Sequence, residues 1–481
     1  MKVHLSGVCG TAMGSLAGLL RERGDEVTGS DQDVYPPMST QLEALGIPIR
    51  SPYDAGNVPE DADVVVIGNA LSRGNPEVET VLDRKQRMTS LPALLAEEFI
   101  RGRTSLVVAG THGKTTTTSL LAFVLQQAGL EPSFLVGGVP RDFDRSYRLG
   151  RGPHFVIEGD EYDCAFFDKR PKFVHYLPDV AVIANVEYDH ADIYPDLAAV
   201  QTAFVRLLNV IPRRGLLVAG VESPPLREIL PRAHCRVETF GLGPEADWAA
   251  EGVRPDGEGG MRFRLRVQGN EAGEVRLALP GEHNVRNALA ALAVAASAGV
   301  APEAAREAFR MFRGVKRRLE VRGRAGGVTL YDDFAHHPTA VRETLRALRS
   351  SAGGAGGLVA VFEPRSYTSR TRVFQAEFAR AFQGADRVIV AAAHLPGKVP
   401  EGQRLSEADL VAAIRALGAD AEFVPGVPEI VERLRRDLRP GDRVVILSNG
   451  GFGGIHEKLL AALARQQSTV GNGSQQSTVD S

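Results

Sequence analysis

The chain has 481 residues, 43% of them hydrophobic and 24% charged, with a formal net charge of -3 at pH 7. That length predicts about three domains at roughly 100–200 residues each, and the near-neutral balance excludes a nucleic-acid protein working through a broad basic surface, though not a local cationic cleft. Cys9, Cys164 and Cys235 are too few and too widely spaced for a disulfide framework or a zinc site, and no stretch nears 18 uninterrupted apolar residues; the expectation is a cytoplasmic chain with reduced thiols and no membrane insertion.

The first element, the alternating "KVHLSG", enters "VCGTAMGSLAGLL", which sets Gly7, Gly10 and Gly14 at a strand-to-helix turn. The spacing is not a strict GxGxxG, so nucleotide binding and a purely structural turn both stay open. A second strand leads to "GSDQDVYPPMST", and "VVVIG" at 64 reads as a strand buried on both faces. A polar, helix-forming stretch around Arg84 to Arg103 is expected to separate this unit from the next.

"SLVVAG" at 105 then runs into "THGKTTTTSLLAF". Gly110, Gly113, Lys114 and Thr115 fit the last part of a Walker-type loop, and Leu120, Leu121, Val124, Leu125 and Ala128 mark one face of the helix that follows. Glycines let backbone N–H groups curl around phosphate, the helix start adds positive potential, Lys114 supplies a cation, and the Thr115 hydroxyl reaches Mg²⁺. The nucleotide is ATP or GTP on these grounds alone. "FVIEGDEYD" places Glu158, Asp160 and Glu161 beyond one strand, and "ANVEYDHAD" places Glu187, Asp189 and His190 beyond another. Acids there either gather a divalent cation or are simply solvated.

Alternation over about 250–284 predicts an antiparallel addition, and "FRGVKRRLEVRG" around 312–323 ends the second unit. "GVTLYDD", "LVAVFEP", "RVIVAAA" and "RVVILSNGG" are the strands of a third. The class is α/β with mostly parallel sheets in three domains, near 1–102, 103–313 and 314–466. The remainder, 467–481, completes a repeat of QQSTV and is expected to lack ordered structure.

Taken in order, "GTHGKTTT", "EGDEYD", "NVEYDHAD", "GEHNVRNALAALA" and "YDDFAHHPTAV" resemble the Mur ligases, ATP-dependent amide-forming enzymes of peptidoglycan assembly. The resemblance spans about residues 1–465. It implies a Rossmann-like N-terminal domain for a UDP-sugar, a central P-loop ATPase domain and a Rossmann-like C-terminal domain that closes over ATP. Gly110, Thr111, His112, Gly113, Lys114, Thr115 and Thr116 then hold ATP phosphates, Asn284 and Asn287 lie on the adenine side, Arg318 reaches phosphate from a hinge, and Asp333 meets the ribose. Thr115, Glu158 and His190 would hold Mg²⁺, and Lys114, His190 and Arg318 carry the catalysis. His336 and His337 belong to the same motif without a proton-transfer role.

Gly7, Gly10, Thr11, Ala12 and Asn69, with Asp31 or Asp33, would bind the UDP-sugar. Within the family, "VYPPMST", "GNPEVE", "EYDCAFFDKR" and "SNGGFGGIHEKL" are closer to the members that join the tripeptide L-alanyl-γ-D-glutamyl-meso-diaminopimelate to UDP-N-acetylmuramate, in murein recycling, than to those that add L-alanine. The tripeptide's carboxylates would want Arg365 and the loop of Ser448, Asn449 and Gly450, although Arg365 also fits an ordinary salt bridge. An ATP-gated UDP-sugar sensor and a nicotinamide dehydrogenase are the readings from other classes. Several Mur ligases carry a carbamoylated lysine about four helical turns of chain after the histidine matching His190; here no lysine occurs from Phe173 to Val315, so activity independent of CO₂ is expected. The oligomeric state stays open.

Overall fold

The computed structural model describes residues 1–32, 34, 38–351 and 356–473, with side chains to residue 465. Asp33 lies outside the described residues. Of the tail expected to lack order, 467–473 continue the helix Ile455–Gly473 and 474–481 lie outside the described residues.

Five strands, β1 (Lys2–Ser6), β2 (Glu26–Ser30), β3 (Ile49–Arg50), β4 (Val64–Ile67) and β5 (Met88–Ser90), form the first sheet in the order β3-β2-β1-β4-β5, all parallel. The chain turns one way from β1 to β2 and the other way to β4, so a crevice opens beyond the carboxyl ends of β1 and β4. The stretch from Arg84 to Arg103 is not the polar separator expected of it. It supplies the edge strand β5 and a helical segment whose Leu94, Leu95, Phe99 and Ile100 are buried in the core; its charged residues flank this apolar stripe and masked it.

The central sheet draws on β6 (Thr104–Ala109), β7 (Ser133–Leu135), β8 (Tyr147–Arg148), β9 (His154–Gly159), β12 (Val180–Ile183), β13 (Leu216–Gly220), β14 (Arg236–Gly241), β15 (Trp248–Pro255), β16 (Met261–Val267) and β17 (Asn270–Leu277), while β10 (Asp163–Ala165) and β11 (Asp168–Pro171) pair as a separate hairpin. Its order is β17-β16-β15-β14-β13-β12-β6-β9-β7-β8. The predicted antiparallel addition is β15–β17. The helix after the phosphate loop, Lys114–Gln127, is buried from Thr115 through Leu125 rather than along one stripe, because it packs against β6, β9 and the alanine-rich helix Glu282–Ser297. Ala128 caps it and is only partly buried.

The third sheet, β18 (Glu320–Ala325), β19 (Val328–Asp333), β20 (Leu358–Phe362), β21 (Arg387–Val390), β22 (Asp420–Phe423) and β23 (Arg443–Leu447), has the order β18-β19-β23-β20-β21-β22. Only β18 is antiparallel, and it begins inside the stretch expected to end the second domain. In all three sheets several of the residues singled out from sequence lie at or just beyond carboxyl strand ends, among them Gly7, Asp31, Glu158, Asp160, Asp333 and Ser448. Among the described residues no helix is long and apolar enough to cross a membrane.

Candidate active site

The phosphate loop joins β6 to the helix Lys114–Gln127, between the neighbouring strands β12 and β9. Gly113 caps the helix at φ 86°, a conformation that disfavours any side chain, and a Cβ there would sit 2.5 Å from Asn287 Oδ1. The loop is held from β12's side by Asn185: its Oδ1 accepts from His112 N at 2.8 Å and its carbonyl from Thr111 N at 3.1 Å. Asn185 stood unassigned within the quoted "ANVEYDHAD"; only its side-chain geometry identifies it as the brace.

The acids divide into groups. Glu158 accepts from Thr115 Oγ1 at 3.0 Å and from Gly137 N at 2.8 Å, and burial pushes its carboxyl above the ordinary value. Glu161 bridges two candidate catalytic groups, with Oε2 2.6 Å from Lys114 Nζ and Oε1 accepting from His190 Nε2 at 3.0 Å. Burial works against the charge on Lys114, but Glu161 and Asp160 outweigh it and hold the ammonium above its ordinary value. For His190, burial is likewise outweighed by the Glu161 bond, so its pKa is raised. Asp160 pairs with Lys172 Nζ at 2.6 Å and is held well below the usual carboxylate range despite burial. One donor atom each from Asp160, Glu161 and His190 lies within 4.8 Å of the others. Glu187 and Asp189 do not join them: Glu187 accepts from Thr339 Oγ1 at 2.6 Å and Asp189 from Thr368 Oγ1 at 2.8 Å, both donors on the third domain.

His190 itself has φ 56°, and its carbonyl accepts from Ile193 N and Tyr194 N. A non-glycine residue held there costs roughly 1–3 kcal/mol and persists only where its surroundings dictate it. Arg318 lies between Arg317 and Leu319, at φ 62° and 48°, in the segment joining the central and third domains. From there its Nη2 donates to Thr115 Oγ1 at 3.2 Å. Asp333 accepts from Leu319 N at 2.7 Å and Ala335 N at 2.8 Å, while burial pushes its carboxyl up. Asn287 Nδ2 donates to Asn284 Oδ1 at 3.1 Å, so the spacing of three does bring them to one face.

A cleft of about 900 Å³ between the central and third domains is lined by the loop residues Thr111 to Thr116, by Glu158 and His190, by both asparagines, and by Arg318 and Asp333. Such a volume suits a nucleotide. Gly110 is buried at the loop's base and does not line it.

Of the other two sets, one lies on the first domain and the other on the third domain, adjoining the cleft. Gly7 turns at φ 90° with its N–H on Ser30 O, Gly10 caps the helix Thr11–Arg23, and Gly10, Thr11 and Asn69 are exposed, with Ala12 partly so. Gly68, beside Asn69, donates to Ser6 O, which brings the ends of β1 and β4 together. Asp31 accepts from Cys9 N at 2.8 Å and Tyr53 OH at 3.1 Å. On the third domain, Ser448 N donates to Asp333 O, Asn449 lines the cleft with a buried Oδ1 that has no hydrogen-bond partner, and Gly450 packs against Arg365. Arg365 also faces Glu363 at 3.6 Å, so it has a salt-bridge partner as well as its contact with this loop.

Residues 2–102, 108–295 and 317–450 match models described as Mur ligase family, catalytic domain, as Mur ligase middle domain, and as Mur ligase, glutamate ligase domain. The chain is 44% identical over 467 residues to the UDP-N-acetylmuramate–L-alanyl-γ-D-glutamyl-meso-2,6-diaminoheptandioate ligase of Escherichia coli K12, covering 97% of this chain and 99% of that one. To a UDP-N-acetylmuramate–L-alanine ligase of an Anaeromyxobacter species it is 36% identical over 464 residues, 96% and 98% of the two chains. The crystal structure of a murein peptide ligase from Psychrobacter arcticus matches with a TM-score of 0.73 at 37% identity, covering 96% and 99%.

Proposed function

The chain belongs to the Mur ligase family, and from that premise we infer that it joins L-alanyl-γ-D-glutamyl-meso-diaminopimelate to UDP-N-acetylmuramate at the expense of ATP, in murein recycling. The observation that carries an ATP-driven ligation is the 3.2 Å contact of Arg318 with Thr115, which sets a cation from the interdomain hinge against the phosphate loop. The sugar carboxylate attacks the γ-phosphorus, ADP leaves, and the resulting acyl phosphate is attacked at carbon by the tripeptide amine. The tetrahedral adduct then expels phosphate as the amine loses its proton.

Lys114 and Arg318 neutralise charge on the transferring phosphoryl group, and the loop N–H groups orient it. Domain closure keeps water from the acyl phosphate. The hydroxyl and carboxylates at Thr115, Glu158, Asp160 and Glu161 are the hard oxygen donors that Mg²⁺ prefers, and a cation fits a Glu158 whose charge is disfavoured by burial and by neighbouring Asp160. Thr115, Glu158 and His190 would hold the ion, which when bound screens the triphosphate. The crevice at Gly7, Gly10, Thr11, Ala12, Asp31 and Asn69 takes the UDP-sugar, and Arg365 with Ser448, Asn449 and Gly450 the peptide. Both nucleotide substrates place the enzyme in the cytoplasm.

Competition decides the acceptor. Purified enzyme with ATP, Mg²⁺ and UDP-N-acetylmuramate receives L-alanine and the tripeptide together, and the tripeptide is expected to win by kcat/KM. A preference for L-alanine overturns the assignment in favour of the L-alanine ligase. ADP release without an amide product leaves neither.

A further inference from the structure

Glu187 belongs to the central domain, and its side chain faces both that domain's phosphate loop and the third domain. Oε2 accepts from Thr339 Oγ1 of the third domain at 2.6 Å, and lies 3.4 Å from His112 Nε2 of the phosphate loop and 4.0 Å from His337 Nδ1. Its backbone is tied to the same loop: Glu187 N donates to Thr111 Oγ1 at 2.9 Å, and that hydroxyl donates to Glu187 O at 3.3 Å. The next two residues continue the contact, as Tyr188 O accepts from His337 Nε2 at 3.2 Å and Asp189 Oδ1 from Thr368 Oγ1 at 2.8 Å. The rings of His112 and His337 stand 4.6 Å apart. His112 Nε2 is buried with no hydrogen-bond partner, so the Glu187 carboxylate is the group it faces.

We propose that Glu187 is a positioning residue that couples the phosphate loop to docking of the third domain, fixing His112 on one side and taking Thr339 on the other. Docking through Thr339 holds the third domain against the loop that Arg318 also reaches, at Thr115. Burial opposes the charge of Glu187, but His112, 3.4 Å away, leads the neighbours that hold its pKa down to about 2, so the carboxylate is ionised and its bond to the Thr339 hydroxyl is charge-assisted. The proposal rests on the ligase reading, because closure is needed only where an intermediate must be shielded.

The test uses the full chain and four variants: Thr339→Val, Thr339→Ser, Glu187→Gln, and Glu187→Gln combined with Thr339→Val. Steady-state ADP release gives kcat and KM. Small-angle scattering with and without a non-hydrolysable ATP analogue and Mg²⁺ gives the compaction on closure, with no sugar or peptide present. Thr339→Val and Glu187→Gln are each expected to lower kcat about tenfold or more with KM for the UDP-sugar within about threefold, and the double variant to be no worse than the worse single one. Thr339→Ser, which keeps the hydroxyl, should restore kcat to within about twofold. Compaction should be lost in Thr339→Val and kept in Thr339→Ser. Both single variants within about twofold of wild type, additive losses in the double variant, or compaction absent from wild type or unchanged in Thr339→Val each overturn the coupling. Because scattering needs no acceptor, it decides the coupling even if the tripeptide proves to be the wrong substrate.

Discussion

Lys114 Nζ lies 2.6 Å from Glu161 Oε2 in an ion pair whose side chains are 12% and 2% exposed. Nearly dry, the pair keeps the ammonium charged against its burial, so the cation is in place for anionic oxygens that enter the cleft. Lys114→Ala is expected to cut ligation by about 10³-fold or more, on the order of 4 kcal/mol of transition-state stabilisation. Glu161 keeps its bond to His190, so the fold survives. Circular dichroism and UDP-sugar binding should match wild type while ADP release vanishes; a folded variant with near-normal turnover removes the ATP-site assignment.

Gly113→Ala tests the loop without touching charge. At φ 86° a Cβ costs about 1–2 kcal/mol, and this one would stand 2.5 Å from Asn287 Oδ1. Asn287 and the phosphate loop are then forced apart. KM for ATP is expected to rise at least about tenfold, a loss of roughly 1.4 kcal/mol of binding, with KM for the UDP-sugar unchanged. Equal rises in both constants would point to general destabilisation instead.

The β strands and phosphate loop were legible because buried parallel strands announce themselves as runs of Val, Ile and Leu ended by glycine. The acids were legible only as a set. Nothing in "ANVEYDHAD" separates His190, which faces Glu161, from Glu187, which faces Thr339 some 150 residues on; the division is made by a domain packing that no local pattern encodes. Asn185 and Thr339 were missed for the same reason. The segment Leu91–Ile100 was expected to be helical, but its burial was missed because flanking charges diluted a short apolar stripe.

Glu77 predicts a pH effect in the first domain. Fully buried, it accepts from Ser6 Oγ at 2.6 Å, Ser30 Oγ at 2.5 Å and Asn57 Nδ2 at 2.9 Å, with His4 Nε2 3.6 Å away. Burial opposes its charge, but His4 beside it and the bonds from Ser30, Ser6 and Asn57 outweigh burial and bring its pKa to about 2 from 4.5. A depressed carboxyl adds stability that is complete above the unfolded value and is lost as pH falls toward the folded one, here worth on the order of 3 kcal/mol. Glu77→Gln should therefore lower Tm at pH 7, and the gap from wild type should narrow as pH falls below 4.5. Since Ser6 and Ser30 precede Gly7 and Asp31, KM for the UDP-sugar should rise as well. A gap that widens on acidification contradicts the assignment.

The last prediction concerns CO₂. A carbamate forms when a neutral lysine nitrogen attacks CO₂ and then gives up a proton, so it needs a lysine near the metal ligands that can shed its charge. The chain has none from Phe173 to Val315. In the neighbourhood where the resemblance to other Mur ligases would put that lysine, Phe204 is fully buried in the core with its ring 5.5 Å from that of Phe173, and Val205 is buried beside it. The lysines that do reach the acidic cluster are Lys114 and Lys172, each 2.6 Å from a carboxylate, Glu161 and Asp160, and each held above its ordinary pKa despite burial. Both nitrogens stay protonated at neutral pH and lack the lone pair the reaction requires. Ligation is therefore expected to be unchanged in rigorously CO₂-depleted buffer, with bicarbonate adding nothing beyond its effect on pH. Reversible loss of activity on CO₂ removal, restored by bicarbonate and matched by a carbamate mass on Lys114 or Lys172, would mean that one of these ion pairs opens during turnover.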